Sequence, residues 1–258
     1  MVMLDPVIYY GDDLESSGNY KVRIEGRPTM TKPMRRNGNI EIGGRSGDLL
    51  TDDDSYDNID ISFEANIKSK SADPDVVQED IDNFYAWLDR GGYQKLSLYY
   101  DTKHYYLAAF QGKFATGNTK LTRHMTPVSF SFTAKPYKLN KNQEDEKIVK
   151  TEKVFSIDNK GKYKGVPLIK INGTGNHTLQ VTYPNKKVVK VFCRNVTDHI
   201  YLDCELMIAY REMAGDVYSM EDSVECDEYP VLPKGKSDIM LSSSTATTIE
   251  ITPRWQTI

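Results

Sequence analysis

Apolar side chains recur at every second position through much of the first half of the chain. In YKVRIEG, Tyr20, Val22 and Ile24 alternate with charged residues, and in NIDISFEANI, Ile59, Ile61, Phe63, Ala65 and Ile67 fall on one face. KLSLYYD adds Leu96, Leu98 and Tyr100; VSFSFTA adds Val128, Phe130, Phe132 and Ala134. A period of two sends successive side chains to opposite faces, so each stretch predicts a half-buried antiparallel strand. One segment, ADPDVVQEDIDNFYAWLDRGGY, follows a different period. Val77, Ile81, Phe84 and Leu88 form a helical stripe, Asp73 can cap it, Pro74 suits the first helical position, and Gly91 and Gly92 end it. Such a stripe packs on a sheet, which predicts a mostly-β domain with one helix.

The alternation lapses in KNQEDEKIVKTEK, residues 141–153, which is rich in charge and poor in apolar positions. This is the expected linker between a first domain at 1–140 and a second at 154–258. Beyond it, TLQVTYP, KKVVKVF, HIYLDCELMIAY and TTIEITPRW read as further strands. In the third, Ile200, Leu202, Cys204, Leu206, Ile208 and Tyr210 alternate without a break, predicting one long strand. Turn signals in NGTGN, YPNKK and LPKGKSD separate these segments at intervals that suit a β-sandwich.

Composition narrows the function classes. Residues 1–140 carry 17 basic and 20 acidic side chains, and residues 141–258 carry 16 and 17, so neither half is a basic surface for phosphates or anionic lipid. No apolar run approaches the roughly 20 residues that span a bilayer, and the N-terminus lacks the basic leader and apolar core of a signal peptide. Three cysteines, Cys193, Cys204 and Cys226, leave an odd thiol if two pair; reduced, buried thiols are the simpler expectation.

Candidate chemistry is sparse. IGGRSGDLL, residues 42–50, resembles a nucleophile elbow, but Asp48 stands where the last glycine of G-x-S-x-G belongs. No lysine follows to make it a phosphate loop. A turn between strands, its glycines at positive φ, is the expected reading. Asp52 and Asp54 have the first spacing of a calcium loop, yet the obligatory glycine is absent and Phe63 occupies the twelfth position; a solvated loop is expected instead. The four histidines show no zinc-hydrolase spacing, and Cys193, His199, Cys204 and Cys226 include no C-x-x-C knuckle. Paired carboxylates for glycoside hydrolysis stay open, because their pairing is spatial. Trp87 is expected in the core or an interface. Trp255 could contact a saccharide, with Tyr163, Tyr183, Tyr201, Tyr210 and Tyr218 as further aromatics. No catalytic residue, cofactor or metal is assigned.

Taken in order, several segments resemble the distal tail protein (Dit) family of long, flexible-tailed bacteriophages. They are Gly-Arg-Ser-Gly-Asp-Leu at 44–49, Trp87-Leu88, Ala-Lys-Pro-Tyr at 134–137, residues 167–175, Asp203-Cys204-Glu205 and residues 230–235. The chain departs from the pattern at GGRSG, where a proline is expected before the final Gly-Arg, and shows neither an inserted carbohydrate-binding module nor a long arm. The resemblance implies a mainly β protein: an N-terminal β-sandwich or split-barrel belt domain with one α-helix, then a C-terminal galectin-like β-sandwich. It implies a homohexameric ring, stacked or single, in the virion tail tip, assembled in the bacterial host cytoplasm. The ring would join the major tail (tube) protein to the tail-associated tip protein and act as baseplate hub. Receptor-binding proteins are further expected partners, and genome DNA would pass through without sequence-specific binding or membrane insertion. Arg35, Arg36, Arg45 and Asp48 are the expected turn-support or subunit-interface residues, with residues 27–45 as the reaching belt. The alternative function is a carbohydrate-binding module recognising host cell-wall saccharide.

Overall fold

In the computed structural model, which describes residues 6–44, 46–120, 124–142, 146–243, 245 and 248–258, backbone contacts divide the chain into two units. One comprises Met1–Lys138 with Ile258, the other Leu139–Thr257.

The first unit is built around long strands whose alternation reads directly from the sequence. Its strands are β1 (Ile8–Tyr10), β2 (Glu15–Ser16), β3 (Val22–Ile24), β4 (Thr29–Met30), β5 (Arg35–Ile40), β6 (Leu49–Tyr56) and β7 (Ile59–Lys68). After helix α1 (Pro74–Leu88) come β8 (Gln94–Leu98), β9 (His104–Thr116) and β10 (Met125–Asn140). The main sheet runs β2-β1-β8-β9-β10-β7-β3, with β4 also on β7, and does not close into a barrel. Register pairs Phe130 with Phe63 and Phe132 with Ile61, so the apolar positions of β7 and β10 fall on one face. Helix α1 covers that face. Asp73 caps it by accepting from the Asp75 N–H at 3.0 Å, and Phe84, Trp87 and Leu88 pack into the core. Phe63 and Phe130 stack at 5.2 Å, and Phe84 meets Phe130 edge-on at 5.3 Å. Asp80, buried on the helix, is compensated by Lys21 at 2.5 Å.

The second unit is a two-sheet antiparallel sandwich. Its strands are β11 (Ile148–Lys150), β12 (Val154–Asn159), β13 (Leu168–Asn172), β14 (Gly175–Thr182), β15 (Val188–Val196) and β16 (His199–Asp203). There follow β17 (Ile208–Met213), β18 (Asp216–Ser219), β19 (Val224–Cys226), β20 (Gly235–Ser242) and β21 (Thr248–Thr252). One sheet is ordered β11-β21-β13-β16-β17-β18, the other β12-β20-β14-β15-β19. Ile169, Ile171, Ile200, Leu202, Ile249 and Ile251 from the first meet Leu179, Val181, Val191, Ile239 and Leu241 from the second. The mainly β architecture expected from the sequence is therefore observed.

Three local expectations need correction. The stretch 141–153 is not linker throughout: Ile148–Lys150 is strand β11, paired with β21, and Ile148 packs against the sandwich core. A short I-V-K alternation inside a charged run suffices once a sheet edge is available. The acidic stretch around Asp52 and Asp54 is not a loop but strand β6, its backbone paired with β5. HIYLDCELMIAY is not one strand either. It folds back between β16 and β17, with Met207 at φ 56° and Leu206 and Met207 exposed. Asp203 causes the break, because its carboxylate accepts from the Glu205 and Leu206 backbone N–H groups, both at 3.1 Å.

Candidate assembly interface

Strands β5 and β6 form a two-stranded ribbon separate from the main sheet. All six residues of β5 are exposed, and no described residue of the ribbon belongs to a buried core cluster. A two-stranded ribbon is marginal by itself. This one is fastened at its base, where the Asp57 N–H donates to the Met34 carbonyl at 2.8 Å and the Tyr56 ring meets Tyr137 edge-on at 5.8 Å. Arg35 and Arg36 act there as well. The Arg35 guanidinium lies 5.3 Å from the Tyr56 ring centre and donates to its hydroxyl at 3.2 Å, and Arg36 Nε pairs with Asp57 at 2.7 Å. Midway, Thr51 Oγ1 donates to the Gly38 carbonyl at 3.0 Å, and a Cβ on Gly38 would lie 2.5 Å from that oxygen. A larger residue at 38 would make the Thr51 hydroxyl turn away and lose this bond.

The far end is apolar. Ile40, Ile42, Leu49 and Leu50 are exposed, Leu50 by 67% and the ribbon-base Met34 by 73%. The loop between them is the IGGRSGD turn, with Gly44 and Gly47 at φ 80° and 86°. Ser46 thus joins two strands, not the strand and helix of a nucleophile elbow. Asp48 is exposed beside Leu49; Arg45 lies outside the described residues. Of the four residues expected at a turn or interface, Arg35 and Arg36 meet at the ribbon base and Asp48 stands at its far end. The exposed aliphatic side chains carried no sequence signal, since an isolated Leu-Leu pair reads equally well as core.

The second unit places the other candidates. Trp255 is half-buried against the sandwich core, and its ring lies on Gly165, where an added Cβ would approach Trp255 Cε3 to 3.0 Å. Next to it Arg254, at φ 48°, makes a bidentate pair with buried Asp203 at 2.8 and 3.0 Å. Burial opposes the guanidinium charge, but the bonds to Asp203 and the nearby Glu205 outweigh it and hold Arg254 above the usual arginine pKa. This ion pair fixes the Asp203-Cys204-Glu205 turn, and no sequence spacing announces it. Among the other aromatics, Tyr183 is buried and accepts from the Val231 N–H at 3.0 Å, whereas Tyr201 and Tyr210 stack on each other at 5.0 Å.

The three thiols are free. Burial pushes Cys193 up to about 12 and raises Cys204 and Cys226 as well, which keeps them protonated and unreactive near neutrality. Among the described residues no three His, Cys, Asp or Glu side chains converge as metal ligands, and no helix is long and apolar enough to cross a membrane.

No family model and no curated protein matches the sequence. Solved structures do match its fold. The Dit protein of phage SPP1, described as a paradigm of the hub adsorption apparatus in phages infecting Gram-positive bacteria, superposes with a TM-score of 0.62 at 15% identity, over 96% of this chain and 99% of that one. A chain of the phage P2 baseplate, in its activated conformation with Ca, superposes with a TM-score of 0.53 at 10% identity, over 95% and 96%.

Proposed function

We propose that this chain is a structural subunit of a phage tail tip, a Dit-type hub with no active site. The observation that carries the reading is a shared fold over nearly the full length of both this chain and SPP1 Dit, so both units, in order, have counterparts there. Six copies close into a ring, single or stacked, that connects the tail tube protein to the tail-associated tip protein. Receptor-binding proteins attach at this hub, and the genome passes through the ring during infection. The protein resides in the virion after assembly in the host cytoplasm.

The β5–β6 ribbon supports the reading. A closed cyclic ring needs heterologous contacts, in which a projecting element of one copy meets a different surface of the next. A ribbon with an apolar end and no described residue in a buried core cluster suits that demand. In this role Arg35 and Arg36 stiffen the base, and Asp48 flanks the contacting end.

Light scattering with negative-stain imaging of the same peak tests the proposal. The expected result is a six-fold ring or a pair of rings. Replacing Leu49 and Leu50 together by Ser is expected to release folded monomers. A chain that stays monomeric at high concentration, alone and mixed with its tube protein, would overturn the ring.

A further inference from the structure

Asparagine precedes glycine at two positions in the chain, Asn37-Gly38 and Asn172-Gly173. Such a pair is chemically reactive, because the glycine nitrogen has no neighbouring Cβ to shield it from the amide carbon of the side chain before it. The structure places the two pairs in opposite surroundings. Asn172 lies in β13, with β16 on one side and β21 on the other. Its side-chain amide donates to Thr248 Oγ1 at 2.8 Å and to Glu250 Oε1 at 2.9 Å. The Gly173 N–H donates to the Asp198 carbonyl at 2.7 Å. Attacking nitrogen and target are both held, on a strand whose Ile169 and Ile171 sit in the core.

Asn37, by contrast, is exposed on β5. Register pairs it with Asp52 and Gly38 with Thr51, and the pairing slips between Arg35 and Asn37. While the strands stay paired, the extended backbone keeps the Gly38 nitrogen from swinging onto the Asn37 side chain, so reaction waits for local opening. A two-stranded ribbon is marginal by itself, and none of its described residues belongs to a buried core cluster. This element therefore opens at low cost while the centre of the six-stranded sheet stays closed. Asn39 shares the ribbon and the exposure, but it precedes Ile40, whose branched Cβ crowds the attacking nitrogen.

We infer that Asn37 is a self-modification site, paced by opening of the ribbon. The Gly38 nitrogen bonds to Asn37 Cγ, the C–NH2 bond breaks, and ammonia leaves with the proton that this nitrogen gives up. Water then opens the cyclic imide at either carbonyl, leaving aspartate or isoaspartate. Nothing is oxidised or reduced. Either product adds a negative charge to the ribbon. Isoaspartate also carries the main chain through its side-chain methylene, which lengthens β5 within its pairing to β6 and disturbs the register that sets Ile40 opposite Leu49. The site thus limits the lifetime of an intact ribbon end. The inference does not rest on the ring assembly: either stands if the other fails.

The test is peptide mapping by mass spectrometry of the full chain, aged in mildly alkaline buffer and kept dilute enough to be monomeric by light scattering. Fragmentation tells isoaspartate from aspartate. In the folded chain Asn37 is expected to convert at least about tenfold faster than Asn172 or Asn39. In denaturant Asn37 and Asn172 should convert at comparable rates, both ahead of Asn39, because the fold separates the two Asn-Gly pairs. Thr51→Val, which removes the hydroxyl bond to the Gly38 carbonyl, should speed the folded reaction about two- to fivefold. Equal folded rates at Asn37 and Asn172, or a folded Asn37 no faster than Asn39, would overturn the site. A gap between the two Asn-Gly pairs that persists undiminished in denaturant, or an unchanged rate in Thr51→Val, would overturn its control by ribbon opening.

Discussion

The β16–β17 and β5–β6 hairpins both end in exposed aliphatic side chains, and they are secured in opposite ways. The β16–β17 turn exposes Leu206, Met207 and Ile208, yet rests on a buried carboxylate that takes two backbone N–H groups and a bidentate arginine. The β5–β6 ribbon exposes Ile40, Ile42, Leu49 and Leu50, and its contacts among the described residues include those at its base and a threonine at its middle. The first turn is fixed by its own domain. The second has no comparable buried anchor among the described residues. In the proposed ring it is therefore the ribbon, rather than the β16–β17 turn, that would make the contact.

The contrast can be broken by substitution. Asp203→Ala should cost the most, about 3–5 kcal/mol, because it strands the guanidinium of Arg254 in a mostly buried site. Chemical denaturation should show it, and Asp203→Asn, which keeps an acceptor for the turn, should lose less. If Asp203→Ala unfolded at the wild-type midpoint, the turn would be no better secured than the ribbon. Arg36→Ala should cost less than about 1 kcal/mol, since its partner Asp57 is as exposed as Arg36 itself. The Leu49→Ser, Leu50→Ser double variant should shift the stability of the isolated subunit by no more than about 0.5 kcal/mol. A larger loss in monomeric protein would mean that the ribbon packs on its own chain.

The legibility of the sequence follows the same division. Strands β7 and β10 and helix α1 were readable because one face of each is buried in a core made by residues close in the pattern. Strand β9 was not singled out: its buried Tyr106, Ala108 and Phe110 mix sizes, and Gly112 interrupts the run at φ 74°. The ribbon offers no periodicity to read, because none of its described side chains is buried. The turn at 203–207 was hidden by perfect alternation, which Asp203 overrides only once Arg254, 51 residues away, supplies the counter-charge.

By itself, then, the sequence determined the β character, the α-helix with its aspartate cap, the glycine turn at 42–50 and the near balance of charge in each half. These depend on residues that are local to each other or on a simple sum of charge. Only the tertiary structure decided that Trp255 lies on Gly165, that Tyr201 and Tyr210 stack beside Lys170 and Glu250, and that Leu49 and Leu50 project from a ribbon with no described residue in a buried core cluster. Those arrangements join strands distant in the chain, and strand pairing is set by the burial of whole faces rather than by any one segment.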